Sequence, residues 1–329
     1  MATTSTTVPS AGPLSSSRSV LSRLRDGDEI ARLITLLFAA SVVLITVLLV
    51  YELWQGSALP RHRFGFSFLR TSVWDPVFDQ FGALPFIYGT LVTSAVALLI
   101  AVPLGIGAAI FLAELAPLRL SDTLEFFIDL LAAVPSVIYG LLGIFIIVPL
   151  MRQVVQPQLK RLLGFLPLFK GPAFGLGFLT AGVVLAIMII PYIISVSREI
   201  LLSVPRDQRE AALALGSTRW ESTWKVVVPF ARTGIIGSIF LALARALGET
   251  MAVTMVIGNT PIISSSLLSP GDSIASVIAS QFKEATGELY TQSLIELGLV
   301  LFLLTFILNG LARLMIVVTS QRGSGMVHA

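Results

Sequence analysis

The chain has 329 residues, of which 55% are hydrophobic and only 12% are charged, and its mean hydropathy is +0.89. This composition excludes a soluble globular protein and indicates a polytopic membrane protein. The net charge of +3 is small and spread over short loops, which argues against nucleic acid as a partner, and the absence of cysteine excludes disulfides and thiolate metal sites.

The N-terminal part of the chain changes abruptly from polar to apolar. Residues 1–20 are rich in Thr, Ser and Pro and show no apolar period, so we expect a disordered cytoplasmic tail. The run 33–51 is uncharged and long enough to cross a hydrocarbon core, which takes about 20 residues. Because this run starts late and is too long for the apolar part of a signal peptide, it predicts a retained transmembrane helix.

Five further apolar runs follow. They lie within 80–113, within 130–151, within 171–197, near 233–257 and near 292–316. The sequence thus predicts an all-α polytopic bundle of six transmembrane helices over 21–317, with both termini in the cytoplasm and a cytoplasmic tail at 318–329. An excess of Lys and Arg in the segments on the inner side supports this orientation. The basic stretch 152–170 then falls on the outer side, and the sequence does not decide whether it is ordered.

A charged island, 206–229, separates the fourth and fifth apolar runs. The stretch from Glu210 to Leu215 is a strong helix former. Gly216 can adopt the left-handed conformation that ends a helix, and Ser217 or Thr218 can cap the next one. The island therefore predicts two short helices with a turn between them, a surface suited to docking into another protein. Its polar faces carry Arg206, Arg209, Arg219 and Lys225, and its apolar faces carry Leu213, Leu215, Trp220 and Trp224.

Five residues of this island carry a resemblance to a known motif. The order Glu210, Ala211, Ala212, then Gly216 and Pro229, resembles the EAA loop of the permeases of binding-protein-dependent ABC importers. In that family the loop is cytoplasmic and forms coupling helices that sit in a cleft of the ATPase subunit. The resemblance implies that these residues couple the chain to a separate ATPase; the alternative is an ordinary amphipathic hairpin between two spans.

Further stretches resemble one branch of that family. They are FGALPFIYGT at 81–90, PLGIG at 103–107, LAELAP at 112–117, AVPSVIYGLLG at 133–143 and RALGETMA at 245–252. Through them the chain resembles the PstC-type permeases of bacterial phosphate ABC importers. The resemblance implies the type I ABC importer permease fold, a bacterial plasma (inner) membrane location and phosphate as the substrate.

The same resemblance implies the partners. They are a homologous permease of the PstA type, a dimer of a PstB-type ABC ATPase and an external phosphate-binding protein of the PstS type, in addition to membrane lipid. The sequence contains no P-loop of the form Gly-x-x-x-x-Gly-Lys-Ser/Thr. ATP would therefore be bound by the partner ATPase, and we expect no cofactor on this chain.

Two charges lie inside the fifth apolar run. Arg245 falls near its middle, where an isolated arginine costs about 2.5–3.5 kcal/mol, and Glu249 follows about one helical turn later. If the helix is continuous, the two side chains pair on a face of small residues that includes Ser238. We expect this face to line the substrate pathway, with Arg245 offering its planar donors to an oxyanion. The alternative is a structural ion pair that clamps this helix to a neighbour.

Other classes of function make different demands on the sequence. An ion-gradient-driven carrier would need several acidic residues within the spans, whereas Glu249 is the clear mid-span acid. An intramembrane enzyme would need a paired nucleophile and base, and the histidines, His62 and His328, have no metal-ligand spacing. The sequence favours a translocation subunit without catalytic or metal-binding residues. An ABC permease for another oxyanion or small solute is the alternative, and a carrier is a weaker one.

Overall fold

The computed structural model describes residues 28–324, and every regular element in that range is a helix. The predicted tail 1–20 lies outside the described residues, as do the last five residues of the predicted tail 318–329. The helices are α1 (Asp28–Gly56), α2 (Ala58–Phe64), α3 (Ser67–Arg70), α4 (Leu84–Leu115), α5 (Leu118–Ala132), α6 (Ser136–Leu163), α7 (Phe178–Leu202), α8 (Arg206–Ala214), α9 (Arg219–Leu247), α10 (Met251–Val256), α11 (Ile274–Gln281) and α12 (Glu288–Ser324).

Six helices within the described range are long and apolar enough to cross a membrane, namely α1, α4, α6, α7, α9 and α12. The predicted all-α bundle of six spans is confirmed. The chain divides into two compact units, Met1–Glu52 and Leu53–Ala329. The described part of the first unit is the apolar helix α1 up to Glu52. All packing described below lies within the second unit.

The centre of the second unit is α7, the most buried of the six spans. Ile189 and Ile193 are fully buried in the main apolar cluster, where α7 packs along α4 and α9. Small residues bring these helices close together, because a Cβ added at Gly182 of α7 would overlap the side chain of Val96 in α4. Gly237 of α9 is not such a contact point, since no atom of a neighbouring helix lies within 4 Å of the position that a Cβ would take.

In the part of the chain that the structure describes, wide π turns precede prolines at four points. These turns are Phe111–Leu115 before Pro117, Gly143–Ile147 before Pro149, Met151–Val155 before Pro157, and Thr223–Val227 before Pro229. Proline lacks an N–H donor, and its ring clashes with the carbonyl four residues earlier in an α-helix. A π turn displaces that carbonyl and lets the helix continue. The helix runs on past the proline at three of these turns, two in α6 and one in α9, whereas α4 ends at Leu115, before Pro117.

The third span begins within the predicted range and extends beyond its other end. α6 begins at Ser136, directly after Pro135, whose extended ψ of 139° is typical of the position before a helix. At the other end, α6 continues to Leu163 because the π turns carry it through Pro149 and Pro157. The basic stretch 152–170 is therefore ordered, with helix over most of it and a short 3₁₀ turn at Pro167–Phe169.

The fifth span begins and ends earlier in the chain than predicted. Its helix α9 ends at Leu247, three residues follow, and the separate helix α10 begins at Met251. The chain then leaves the helix through left-handed Gly258 and Asn259 and returns as α11. This returning segment lies directly against α4, since a Cβ at Gly89 would overlap the carbonyl oxygen of Asp272.

A second apolar cluster closes the end of the bundle where α2 and α3 lie. Phe68, Trp74, Phe81 and Phe86 are buried there together with residues of α11 and α12. The rings of Trp74 and Phe86 meet edge to face at a centroid distance of 4.9 Å, and Trp74 donates a hydrogen bond of 2.9 Å to the side chain of Gln281. This cluster joins the start of α12 to the loop that follows α3.

Asp272, which lies outside the six spans, should make the stability of the protein depend on pH. It is 1% exposed, and one carboxylate oxygen has no hydrogen-bond partner. Burial raises its pKa to about 7, against hydrogen bonds from Ser276 and from the backbone of Ser273 that lower it. In the unfolded state this carboxyl releases its proton near the ordinary aspartate pKa of 3.8, so the free energy of unfolding should fall as pH rises and level off above about 7. Asp272→Asn should remove up to roughly 4 kcal/mol of this dependence.

Thermal unfolding of the purified protein between pH 5 and pH 8 measures this effect. Asp79→Asn is the matched control. Because Asp79 is exposed, this substitution should leave the slope of unfolding temperature against pH unchanged. An equal slope in wild type and Asp272→Asn would contradict the prediction.

Candidate coupling element and substrate pathway

The turn after α8 has the geometry that the sequence predicts. Gly216 has a φ of 86°, in the left-handed region. Its N–H donates to the carbonyl of Leu213 at 2.9 Å, and the N–H of Ser217 donates to the carbonyl of Ala212 at 3.2 Å. This pair of bonds is the Schellman motif, which satisfies the last carbonyls of a helix and favours glycine at this position.

The next helix begins with a capping box. Thr218 accepts a hydrogen bond of 3.2 Å from the N–H of Glu221, and the Glu221 carboxylate accepts one of 3.0 Å from the N–H of Thr218. The prediction of a second short helix is wrong. The π turn at Thr223–Val227 carries the helix past Pro229, so this helix is the first part of the fifth span, α9.

An ion pair fixes α8 to the end of the second span. Nη2 of Arg209 lies 2.8 Å from Oε1 of Glu114, and Arg209 also donates to the carbonyls of Leu201, at 2.7 Å, and Val204. The side chain of Glu114 is largely buried and that of Arg209 is partly buried. The sequence predicts Arg209 on a polar face, and the structure shows that this face is turned toward Glu114 and is partly buried. The signal that could have revealed the pair is Glu114, the acid at the end of an otherwise uncharged apolar run.

A second set of polar contacts joins α5 to α7. Arg198 is nearly buried, forms an ion pair with Glu125 and donates a hydrogen bond of 3.2 Å to Ser121. Ser195 donates to the carboxylate of Asp129 at 2.7 Å. These residues were not singled out from the sequence, because no local motif marks charges that pair across two helices.

The motif residues of the island are mostly exposed. Glu210, Ala211, Gly216 and Pro229 are exposed, whereas Ala212 is buried. Large apolar side chains surround them: Leu215 is 90% exposed, and the rings of Trp220 and Trp224 meet at a centroid distance of 5.6 Å. Exposed apolar groups on a rigidly held turn are typical of a protein-docking surface. We call Leu213, Leu215, Trp220 and Trp224 the docking surface.

Arg245 and Glu249 do not share one continuous helix. Arg245 is an exposed residue in the last turn of α9, with its guanidinium carbon 5.9 Å from the ring centroid of Tyr192 in α7. Glu249 follows the end of α9 at Gly248, and its carboxylate accepts a hydrogen bond of 3.2 Å from the N–H of Ala252 in α10. The predicted pairing along one helix is therefore contradicted. The start of α10 presents unpaired N–H donors, which attract the carboxylate.

Ser238 shares a face of α9 with Arg245, because seven residues make about two helical turns, but its side chain is buried. It is 0% exposed, and its hydroxyl lies 2.8 Å from the hydroxyl of Ser197 in α7. Ser238 also donates to the carbonyl of Ile235 at 2.8 Å. The structure thus packs Ser238 against α7, whereas Arg245, farther along the same face of α9, is exposed. Within residues 28–324, no group of three or more His, Asp or Glu side chains is placed to hold a metal ion.

Comparison with known proteins identifies the family of this chain. The profile of the family described as binding-protein-dependent transport system inner membrane component matches residues 101–316. A protein of Pasteurella multocida named phosphate transport system permease protein PstC is 50% identical over 286 residues, covering 86% of this chain and 89% of the relative. One of the same name from Mesorhizobium japonicum is 48% identical over 284 residues, covering 84% and 87%.

Solved structures show the same fold at low sequence identity. A bacterial alginate ABC transporter with a pentasaccharide-bound periplasmic protein has a chain with a TM-score of 0.58 and 15% identity, covering 88% of this chain and 96% of that one. A chain of the MetNI methionine ABC transporter gives a TM-score of 0.57 and 16% identity, covering 75% and 99%. The fold is thus that of type I ABC importer permeases, and the chain belongs to the family of binding-protein-dependent transport system inner membrane components.

Proposed function

We propose that this chain is a permease subunit of an ATP-driven phosphate importer, that it forms half of the translocation pathway, and that it couples to a separate ATPase through α8 and the start of α9. The observation that carries the proposal is the docking surface held on a rigid turn, in a chain that is 48–50% identical to proteins named as phosphate permeases. Such a subunit translocates solute and is not itself an enzyme.

One continuous helix connects the docking surface to Arg245. Trp220 and Trp224 lie near the start of α9, and Arg245 lies in its last turn. At 1.5 Å per residue, the 29 residues of α9 span about 40 Å, roughly the thickness of a bilayer with its headgroups. The Arg209–Glu114 pair ties the same end to α4. A movement of the ATPase against the docking surface would thus be transmitted to the far end of α9 as rigid-body motion.

The partners follow from this assignment. We assign the second half of the pathway to a homologous permease of the PstA type, the docking cleft to a PstB-type ATPase dimer that binds ATP, and the delivery of phosphate to an external PstS-type binding protein. The complex would lie in the bacterial plasma (inner) membrane with both termini of this chain in the cytoplasm. A second permease is needed because the exposed face with Arg245 encloses no pathway by itself.

Arg245 is the residue that we assign to the substrate anion. It is exposed, and no described residue forms an ion pair with it within 4.0 Å, so its planar donors are available to an oxyanion. The alternative, a structural clamp, loses its support because Glu249 caps α10 instead. We assign Glu249 to holding the break between α9 and α10 next to Arg245.

The orientation can be tested with single cysteines, since the chain has none of its own. Ser67→Cys and Thr286→Cys should react with a membrane-impermeant maleimide from outside, and Ser203→Cys only after the membrane is opened. All three positions are exposed, so the readout does not depend on burial. Labelling of Ser203→Cys in intact cells would contradict the topology.

Leu215→Asp should break coupling without disturbing the fold, because this side chain is 90% exposed. We expect about tenfold weaker association of the ATPase and a matching loss of phosphate-stimulated ATP hydrolysis, with normal membrane abundance. Gly216→Val should give the same phenotype by straining the left-handed turn. Leu118→Asp is the matched control, since Leu118 is 81% exposed outside the docking surface. ATPase binding by Leu215→Asp at the wild-type level would remove the coupling assignment.

Neutral substitution at Arg245 should abolish transport rather than assembly. We expect Arg245→Gln and Glu249→Gln each to lower phosphate uptake by the reconstituted complex more than about tenfold, and Arg245→Lys to retain part of it, because lysine keeps the charge but loses the planar donors. Arg313→Gln, another exposed arginine of a span, is the control and should retain uptake.

Radiolabelled phosphate uptake, with purification of the assembled complex from the same cells, measures the effect. Loss of the complex in both neutral variants would support the clamp instead. Full uptake by Arg245→Gln would exclude Arg245 from the pathway. Uptake without the ATPase would favour an ion-gradient-driven carrier. If another oxyanion at equal concentration competed with phosphate for uptake, the assignment of phosphate as the substrate would change.

A further inference from the structure

A pocket that the proposed transport function does not use lies between α2 and the first half of α12. Its volume is about 380 Å³. It lies at the end of α1 that carries Trp54, a residue type enriched at membrane surfaces. We call it the α2–α12 pocket. Its lining includes Trp54, Arg61, His62, Glu296, Leu299 and Leu303.

Glu296 is the unusual residue of the α2–α12 pocket. It is only 6% exposed, and its Oε2 has no hydrogen-bond partner. No ion pair within 4.0 Å joins it to a cation among the residues that the structure describes. A buried carboxylate without a partner is strongly unfavourable, so a cationic hydrogen-bond donor that enters the pocket would gain most by binding here.

Arg61 lines the same pocket but forms no ion pair with Glu296 within 4.0 Å. Its Nε donates to the carbonyl of Ser57 at 3.2 Å, Nη2 donates to the carbonyl of Trp54, and the guanidinium carbon lies 3.6 Å from the centroid of the Trp54 ring. These contacts fix the cation in place without using the Glu296 carboxylate. The pocket thus presents one fixed positive group and one unpaired carboxyl as separate binding points.

The rest of the wall is apolar and continues along the membrane span. Leu299, Val300 and Leu303 follow Glu296 at the helical spacing that places residues on one face of α12. Phe66 forms part of the opposite wall and is exposed. An apolar strip that starts at two opposite charges near the membrane surface and runs along a span matches the shape of a phospholipid.

We propose that the α2–α12 pocket binds a phospholipid with a primary-ammonium headgroup, of the phosphatidylethanolamine class. The ammonium donates to Glu296, the phosphodiester accepts from Arg61, and an acyl chain lies along Leu299 and Leu303. A headgroup without an amine leaves Glu296 unpaired, and a quaternary ammonium has no N–H to donate. A lysine of another protein would satisfy Glu296 but would not use the apolar strip, so a lipid fits the pocket better.

Native mass spectrometry of the complex purified with its partner subunits tests the proposal. The probes are phosphatidylethanolamine, phosphatidylglycerol and phosphatidylcholine with identical acyl chains. We expect the wild type to bind phosphatidylethanolamine about tenfold more tightly than either of the others, and Glu296→Gln to reduce this preference to less than about twofold. Glu288→Gln is the matched control, because Glu288 is an exposed acid in the first turn of the same helix.

A second variant separates the headgroup from the acyl chain. Leu299→Trp should fill the apolar strip and weaken all three lipids by a similar factor, while the preference for phosphatidylethanolamine persists. A wild type without headgroup preference would overturn the proposal, and so would a Glu296→Gln variant that keeps it. If Glu296→Gln leaves lipid binding unchanged but weakens association with the external binding protein, the pocket takes an amine of a protein and the proposal is wrong.

Discussion

The structure depends on one constraint of the bilayer: every backbone N–H and C=O within the hydrocarbon core must be paired inside the protein. Proline removes a donor from a helix, yet prolines occur within α6 and α9. The π turns that precede them keep the remaining backbone groups paired and the helices unbroken. In α9 this continuity places Trp220 and Trp224 near one end of a single helix and Arg245 in its last turn, as the coupling that we propose requires.

Much of the fold and part of the site could be predicted from the sequence. Uninterrupted apolar length predicts a membrane span whatever its neighbours are, so the number of spans is correct. The turn at Gly216 also follows from the local sequence. A strong helix former followed by glycine and a capping threonine encodes both the end of α8 and the start of α9.

The remaining features depend on contacts between segments distant in sequence or on backbone geometry that composition does not encode. The third span was predicted to stop by 151, where the apolar run ends, whereas α6 continues to Leu163 because π turns carry it past Pro149 and Pro157. Arg209 pairs with Glu114, which lies 95 positions earlier in the sequence. This contact forms only when α8 packs against the end of α4. Glu249 was paired with Arg245 on the assumption of an intact helix, but Gly248 ends α9 and the free N–H groups of α10 attract the carboxylate.

The π turn at Thr223–Val227 also sets the rotational phase of α9. A π turn accommodates one residue more than the α-helical turn it replaces, and each residue of an α-helix turns the chain by about 100°. Loss of Val226 from this turn would rotate Trp220 and Trp224 by about that angle relative to Arg245. Such a deletion would keep every charged side chain and enough apolar length for a span, yet it would aim the docking surface in a different direction from the pathway that we propose it serves.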